Sequence, residues 1–327
     1  MAKPEMPANE RDPLARLIRS AGRRPSIPPA REERVRGAVH VAWQQAVRRR
    51  RIRRWIVGAG SGLAAAIVAF AVFTTQSRDN NPVATLEFTS GSVSVKAPGN
   101  PRSLNTGDGV SAGSTIETSD KSRAAFVLSG GQSLRLDNST RMKLESSQII
   151  VLESGGVYVD SDRDGKKALH PVEVRTGYGI ARDEGTQFEV RLADGGVRVR
   201  VREGKVNLKR GSDSANAESG KELTAGASGP IATAKVSTTD ASWDWAASVA
   251  PPFKLEGATL QSYLSWVCRE QGFEARFAPE DLRQSASPIR LHGTLDGIFP
   301  RKSLDAVIPV CGLNYTLNNG VLTISKP

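Results

Sequence analysis

"NTGDGVSAGSTIETSDKSRAAFVLSGGQSLRL", residues 105–136, decides the fold of most of this chain. Its turn signals are Gly-Asp-Gly at 107–109 and Gly-Gly at 130–131, and short runs such as "AAFVL" (124–128) and "SLRL" (133–136) lie between and after them. A strand points successive side chains to opposite faces, so short alternating runs between glycine turns mark half-buried strands. The pattern spreads outward from there. Upstream lies "GSVSV" (91–95); downstream come "MKLE" (142–145), "IIVLE" (149–153), "GGVYV" (155–159), "GGVRVRV" (195–201) and "GKVNL" (204–208), with Asp-Gly-Gly at 194–196 as another turn. No useful helical stretch interrupts them. Many short strands at regular spacing predict an all-β domain, sandwich or barrel-like, over residues 78–225.

Beyond it the composition shifts. "KELTAGASG" (221–229) reads as a last strand and turn, and residues 226–252 as a linker rich in Ser, Ala, Thr and Gly. The linker carries Trp243 and Trp245, and such a pair is expected to dock on one of the domains rather than stand in water. Residues 253–327 then read as a small α+β domain: strand "FKLEG", helix "TLQSYLSWVCREQG", strands "FEARFA" and "IRLHGTL", helix "PRKSLDAVIPVCG", and hairpin "LNYTLNNGVLTIS". Leu260, Leu264 and Val267 share one face of the first helix. Asn319-Gly320 is a two-residue hairpin signal.

The N-terminal quarter is of another kind. Residues 1–54 hold 15 Lys/Arg against 5 Asp/Glu, whereas the rest of the chain holds 30 against 29. The formal charge of +11 therefore sits at one end. A nucleic-acid reader usually carries its basic patch on the folded body, so direct nucleic-acid binding is not expected. The basic end closes on Arg48, Arg49, Arg50, Arg51, Arg53 and Arg54, followed by 23 residues, 55–77, without a charge, the first of them Trp55. As a helix they would span about 34 Å, enough for a hydrocarbon core of about 30 Å. The arginines and Trp55 are expected to anchor the cytoplasmic end of this single span, which leaves residues 78–327 outside, in a periplasm, with the bacterial inner membrane as location. Within residues 1–54, Leu14, Leu17 and Ile18 share one short helical face, and Val35, Val39 and Trp43 lie on another. These stripes either cover each other, lie on the lipid surface, or dock into a cytoplasmic partner. In an oxidising compartment Cys268 and Cys311 are candidates for a disulfide.

The order of pieces resembles the FecR family of transmembrane anti-sigma regulators. The resemblance rests on "GSVSV", the 105–136 stretch, "VRTGYGIARDEGTQFEV" and "VREGKVNL". The last 75 residues are similar to the short N-terminal domain of secretins and TonB-dependent receptors. The resemblance implies a one-span regulator that binds an extracytoplasmic-function sigma factor in the cytoplasm and takes a signal outside, with an outer-membrane TonB-dependent receptor as a further partner. The family's cytoplasmic domain is usually longer and carries several tryptophans; here Trp43 stands alone within 54 residues. Some family members self-cleave at a Gly-Thr bond, and Gly185-Thr186 is the matching position. There a threonine hydroxyl attacks the preceding carbonyl, and glycine permits the strained backbone this needs. The plain reading is a turn into a strand.

Other chemistry finds little support. "DSDRDG" (160–165) has the look of a calcium loop, but its twelfth position is Pro171, so a solvated hairpin loop is expected. His40, His170 and His292 have no ligand or triad spacing, and no G-x-S-x-G, nucleotide loop or paired carboxylates stand out. No enzyme, metal or cofactor is expected. The alternative to a regulator is a membrane-anchored scaffold or envelope-binding module with no sigma partner.

Overall fold

A computed structural model describes Ser20 and residues 81–96, 101–161, 170–295 and 297–327. The chain divides into two units, Met1–Asp79 and Asn80–Pro327, and both folded domains belong to the second. The expected span, its arginines and Trp55, the stripes at Leu14, Leu17, Ile18, Val35, Val39 and Trp43, and most of the "DSDRDG" loop lie outside the described residues. Among the described residues no helix is long and apolar enough to cross a membrane.

Eighteen strands build the β domain. They begin with β1 (Ala84–Ser90), β2 (Val93–Lys96), β3 (Pro101–Ser103), β4 (Gly109–Val110), β5 (Ser114–Thr118) and β6 (Arg123–Leu128). The middle third is β7 (Ser133–Leu136), β8 (Arg141–Leu144), β9 (Ile149–Ser154), β10 (Gly156–Asp160), β11 (Glu173–Thr176) and β12 (Gly179–Asp183). The last third is β13 (Gln187–Ala193), β14 (Gly196–Glu203), β15 (Lys205–Arg210), β16 (Asp213–Glu218), β17 (Lys221–Gly226) and β18 (Ala232–Lys235). They form two nine-stranded sheets, ordered β18-β17-β14-β13-β10-β7-β6-β1-β4 and β16-β15-β12-β11-β9-β8-β5-β2-β3. The chain changes sheet every one or two strands, so both sheets lengthen in step. Pairing is antiparallel except between β9 and β11. The result is an open sandwich of two sheets, not a closed barrel. Its single core takes the inward residue of each alternating pair, among them Leu134, Leu136, Val157, Val159, Phe188 and Val199.

The C-terminal domain has its own core, in which Leu260, Tyr263, Leu264 and Val267 meet Leu304, Ile308, Leu322 and Ile324. We label its helices after the short α1 (Asp244–Ala247) of the connecting segment: α2 (Leu260–Gln271), α3 (Leu282–Ala286) and α4 (Pro300–Val310). Strands β19 (Glu274–Ala278), β20 (Asn314–Asn318) and β21 (Val321–Ser325) form a sheet ordered β19-β21-β20. The Asn319-Gly320 turn has φ of 49° and 81°, the left-handed pair a tight hairpin needs. The Thr259 hydroxyl caps α2 by accepting from the Ser262 N–H, and the Ser262 side chain returns a bond to the Thr259 backbone.

Two expected strands are absent here. "FKLEG" and "IRLHGTL" run beside each other and exchange backbone bonds such as Gly257 N–H to Leu291 O at 2.9 Å, but the only ladder pair is Thr259 with Arg290. Thr259 is also the cap of α2, so the chain turns into the helix before a ladder can grow. Helix α3 carried no clear signal in the sequence.

A covered sheet face and a buried turn

In the middle of the first sheet the outward residues ought to be wet. They are not. Arg135 of β7 stands opposite Tyr158 of β10, Tyr158 opposite Glu189 of β13, Glu189 opposite Arg200 of β14, and Arg200 opposite Glu222 of β17. The first four of these are at most 5 % exposed. The segment that covers them arrives more than a hundred residues after β7. Trp243 sits within 4.4 Å of the Arg200 guanidinium and 4.6 Å of that of Arg202, and its indole N–H donates to Ser237 O at 2.8 Å. Trp245 donates to Glu189 Oε1 at 3.2 Å. Tyr158 meets both indoles edge-on, at 6.1 and 6.5 Å between centroids, and burial pushes its hydroxyl up to about 12. The tryptophans do dock, as the sequence suggests, and their partners are cations and an aromatic ring.

Helix α2 completes the cover with its C-terminal end. Arg135 makes a two-pronged pair with Glu270, Nη1 to Oε2 at 2.6 Å and Nη2 to Oε1 at 2.9 Å, and also donates to Ala246 O at 2.9 Å. The last carbonyls of a helix have no partner within it. Here the β domain supplies donors: Arg202 Nη1 reaches Glu270 O at 3.0 Å, and Gln187 Nε2 reaches Arg269 O at 3.4 Å. Gly272 ends the helix in the left-handed region, φ 69°, and a Cβ there would lie 2.5 Å from Thr238 O. Glycine is therefore required twice over, by conformation and by space.

Arg269 pairs with both oxygens of Asp160, through Nε at 3.1 Å and through Nη2, and Gln187 Nε2 shares the same carboxylate at 3.2 Å. Beside this contact a cleft of about 770 Å³ opens between the two domains, lined by Arg135, Asp160, Phe253, Lys254, Trp266 and Arg269 among others. Phe253 and Trp266 are stacked at 5.2 Å. On their other side a cavity of about 290 Å³ continues toward Phe88, Ile298 and Phe299, three apolar side chains that stand partly exposed.

Gly185 and Thr186 lie in the turn from β12 to β13, one residue from Gln187. Gly185 has φ of 83°, which a side chain would strain. Thr186 is 1 % exposed, and its hydroxyl oxygen is buried without a hydrogen-bond partner among the described residues. Asp183 is buried beside it. Burial pushes its carboxyl above the usual carboxylate range, although the Ser161 hydroxyl and the N–H groups of Val172, Gly185 and Thr186 all donate to it. The Ser161 N–H donates to Thr186 O at 3.0 Å. Across the turn, a Cβ at Gly204 would lie 2.7 Å from Gly185 O.

The other candidate residues fall elsewhere. Cys268 lies near the end of α2 and Cys311 caps α4; both are free, half-buried thiols packed on the C-terminal core, which corrects the expected bridge. Each sulfur is taken up by apolar neighbours rather than by the other. His292 does have an acidic neighbour that spacing could not show: Nδ1 is 2.8 Å from Glu256 Oε1, on the surface. Among the described residues no cluster of three His, Cys, Asp or Glu is placed to hold a metal. Sequence reading did not single out Arg135, Asp160, Asp183, Gln187, Arg202, Arg269 or Glu270. Their partners lie on other elements, and only the tryptophan pair hinted that a sheet face was covered.

No curated protein matches the chain. Two crystal structures of a proposed anti-sigma factor from Parabacteroides distasonis align with it at 18% and 19% identity, each with a TM-score of 0.34, covering 65% of this chain and 99% and 98% of theirs. The family model described as FecR protein matches residues 114–207, which run from β5 into β15 and include the Gly185-Thr186 turn. By that match the β domain of this chain contains a FecR domain.

Proposed function

We propose that this chain is an anti-sigma regulator that crosses the bacterial inner membrane once, with residues 1–54 in the cytoplasm and the FecR and C-terminal domains in the periplasm. The observation that carries this reading is the FecR match on a folded body that follows an arginine cluster and 23 uncharged residues. The apolar stripes of residues 1–47 hold an extracytoplasmic-function sigma factor. The C-terminal domain receives the signal, which comes from an outer-membrane TonB-dependent receptor.

Processing at Gly185-Thr186 belongs to the same reading. Thr186 Oγ1 adds to the Gly185 carbonyl carbon. The C–N bond breaks and the hydroxyl proton ends on the nitrogen, which leaves an ester. Water then splits the ester into a Gly185 carboxylate and a free Thr186 amine and hydroxyl. Three features support it: a glycine in the left-handed region, a buried hydroxyl with no hydrogen-bond partner among the described residues, and the Asp183 carboxyl, which accepts from the Thr186 N–H. Burial holds that carboxyl above its ordinary range, next to the nitrogen that leaves.

The test is capture. The tagged full chain, extracted from membranes of its own cells, is expected to bring down a sigma factor, and a chain lacking residues 1–47 is expected to bring down none. Recovery from both chains, or from neither, overturns the reading.

A further inference from the structure

Two short paths connect the C-terminal helix to the Gly185-Thr186 bond. On one, Arg269 grips Asp160, the last residue of β10; the next residue, Ser161, donates its N–H to Thr186 O at 3.0 Å and its hydroxyl to Asp183. On the other, Gln187, next to Thr186 in the chain, bonds at once to Asp160 and to the Arg269 carbonyl. Asp160 and Gln187 are both about 2 % exposed and form the last register pair between β10 and β13. Glu203, opposite Gln187 on β14, lies 3.6 Å from Arg269 Nη1. The turn is therefore fixed from both flanks by groups that also hold the end of α2.

We propose that docking of the C-terminal domain sets the geometry of the Gly185-Thr186 turn, with Arg269 as the positioning residue. The proposal rests on the self-cleavage reading for its consequence but not for its physics. With Arg269 in place, Asp160 and Gln187 are held, Ser161 holds the Thr186 carbonyl, and the hydroxyl of Thr186 keeps its buried position. With the domain lifted away, Asp160 loses its contact with the Arg269 guanidinium and Gln187 its contact with the Arg269 carbonyl, one on each flank of the turn. Cleavage is then tied to assembly of the two domains, so that only a correctly docked chain is processed. The same contact offers a receptor a way to act on the turn: whatever displaces the end of α2 releases it.

The test uses the full chain in detergent, with intact mass recording the break between residues 185 and 186. Arg269→Ala is expected to slow cleavage at least tenfold. Arg269→Lys, which keeps the charge but not the fork, should recover most of it, and Arg276→Gln, on a surface pair of the same domain, should match the native chain. A native rate in Arg269→Ala overturns the proposal. Amide exchange in a Thr186→Ala background separates the two claims: Arg269→Ala is expected to speed exchange at least tenfold in peptides spanning 156–161 and 184–191, while peptides of the far strands β2, β3 and β16 keep their native rates. If the native chain never cleaves but this local exchange change is seen, the cleavage reading fails and the coupling stands. If exchange is unchanged, the coupling fails.

Discussion

The thiol of Cys268 is pressed into the apolar core of the C-terminal domain, and burial pushes its pKa to about 12. The thiolate is the reactive form, so burial protects it. Cys311 is shifted in the same direction for the same reason. In the folded chain at pH 8, Cys268 is expected to alkylate with iodoacetamide roughly a hundredfold or more slower than an exposed cysteine. In guanidinium without reductant both thiols should take the label. A mass two hydrogens lower, with no label on either, would restore the disulfide that oxidising surroundings suggest. Residue identity was a weak guide at this scale. Two cysteines within one small domain suggested a bond, whereas the folding of α2 and α4 gave each sulfur its own apolar surroundings. Arg135 teaches the same lesson from the other side. Alternation in "SLRL" correctly sends Leu134 and Leu136 inward and Arg135 outward. Nothing local could say that the outward face is covered by residues 243–270.

At the scale of elements, α2 was the most legible piece of the C-terminal domain. Its cap at Thr259, its apolar face of Leu260, Leu264 and Val267, and its stop at Gly272 all follow from local chemistry. The bounds of the strands before and after it did not, because "FKLEG" and "IRLHGTL" alternate like strands, yet the one isolated bridge beside them joins Thr259, the cap of α2, to Arg290. What α2 does with its last turn was hidden as well, since Glu270 meets a β-strand 135 residues away. With side chains only 1 % and 6 % exposed, Arg135 and Glu270 fall where removing one partner costs about 3–5 kcal/mol, and replacing both by apolar groups is often neutral. Glu270→Ala is therefore expected to lower the urea midpoint followed by fluorescence of the interface tryptophans, Trp243 and Trp245. The double variant Arg135→Met, Glu270→Leu should regain most of that loss. Equal losses in the single and double variants would mean that the pair itself, rather than an orphaned charge, holds the domains together.

For the molecule as a whole, glycine-punctuated alternation was enough to read an all-β body, because the core needs only every second residue of each strand. The winding of the chain between two sheets, and the seat of the C-terminal domain on one of them, depend on contacts between residues far apart and had no local mark. The N-terminal quarter is legible in a different way, through charge: nearly all of the net +11 lies before residue 55, ahead of an uncharged stretch. We read that asymmetry as one membrane crossing, with regulation on one side and sensing on the other. The most direct measurement is a pair of reporter fusions in living cells. Alkaline phosphatase, which folds only after export, is joined after Pro327, and a cytosolic reporter is placed ahead of residue 1. The account predicts that both are active; a phosphatase silent at Pro327, with a cytosolic reporter active there instead, would contradict it.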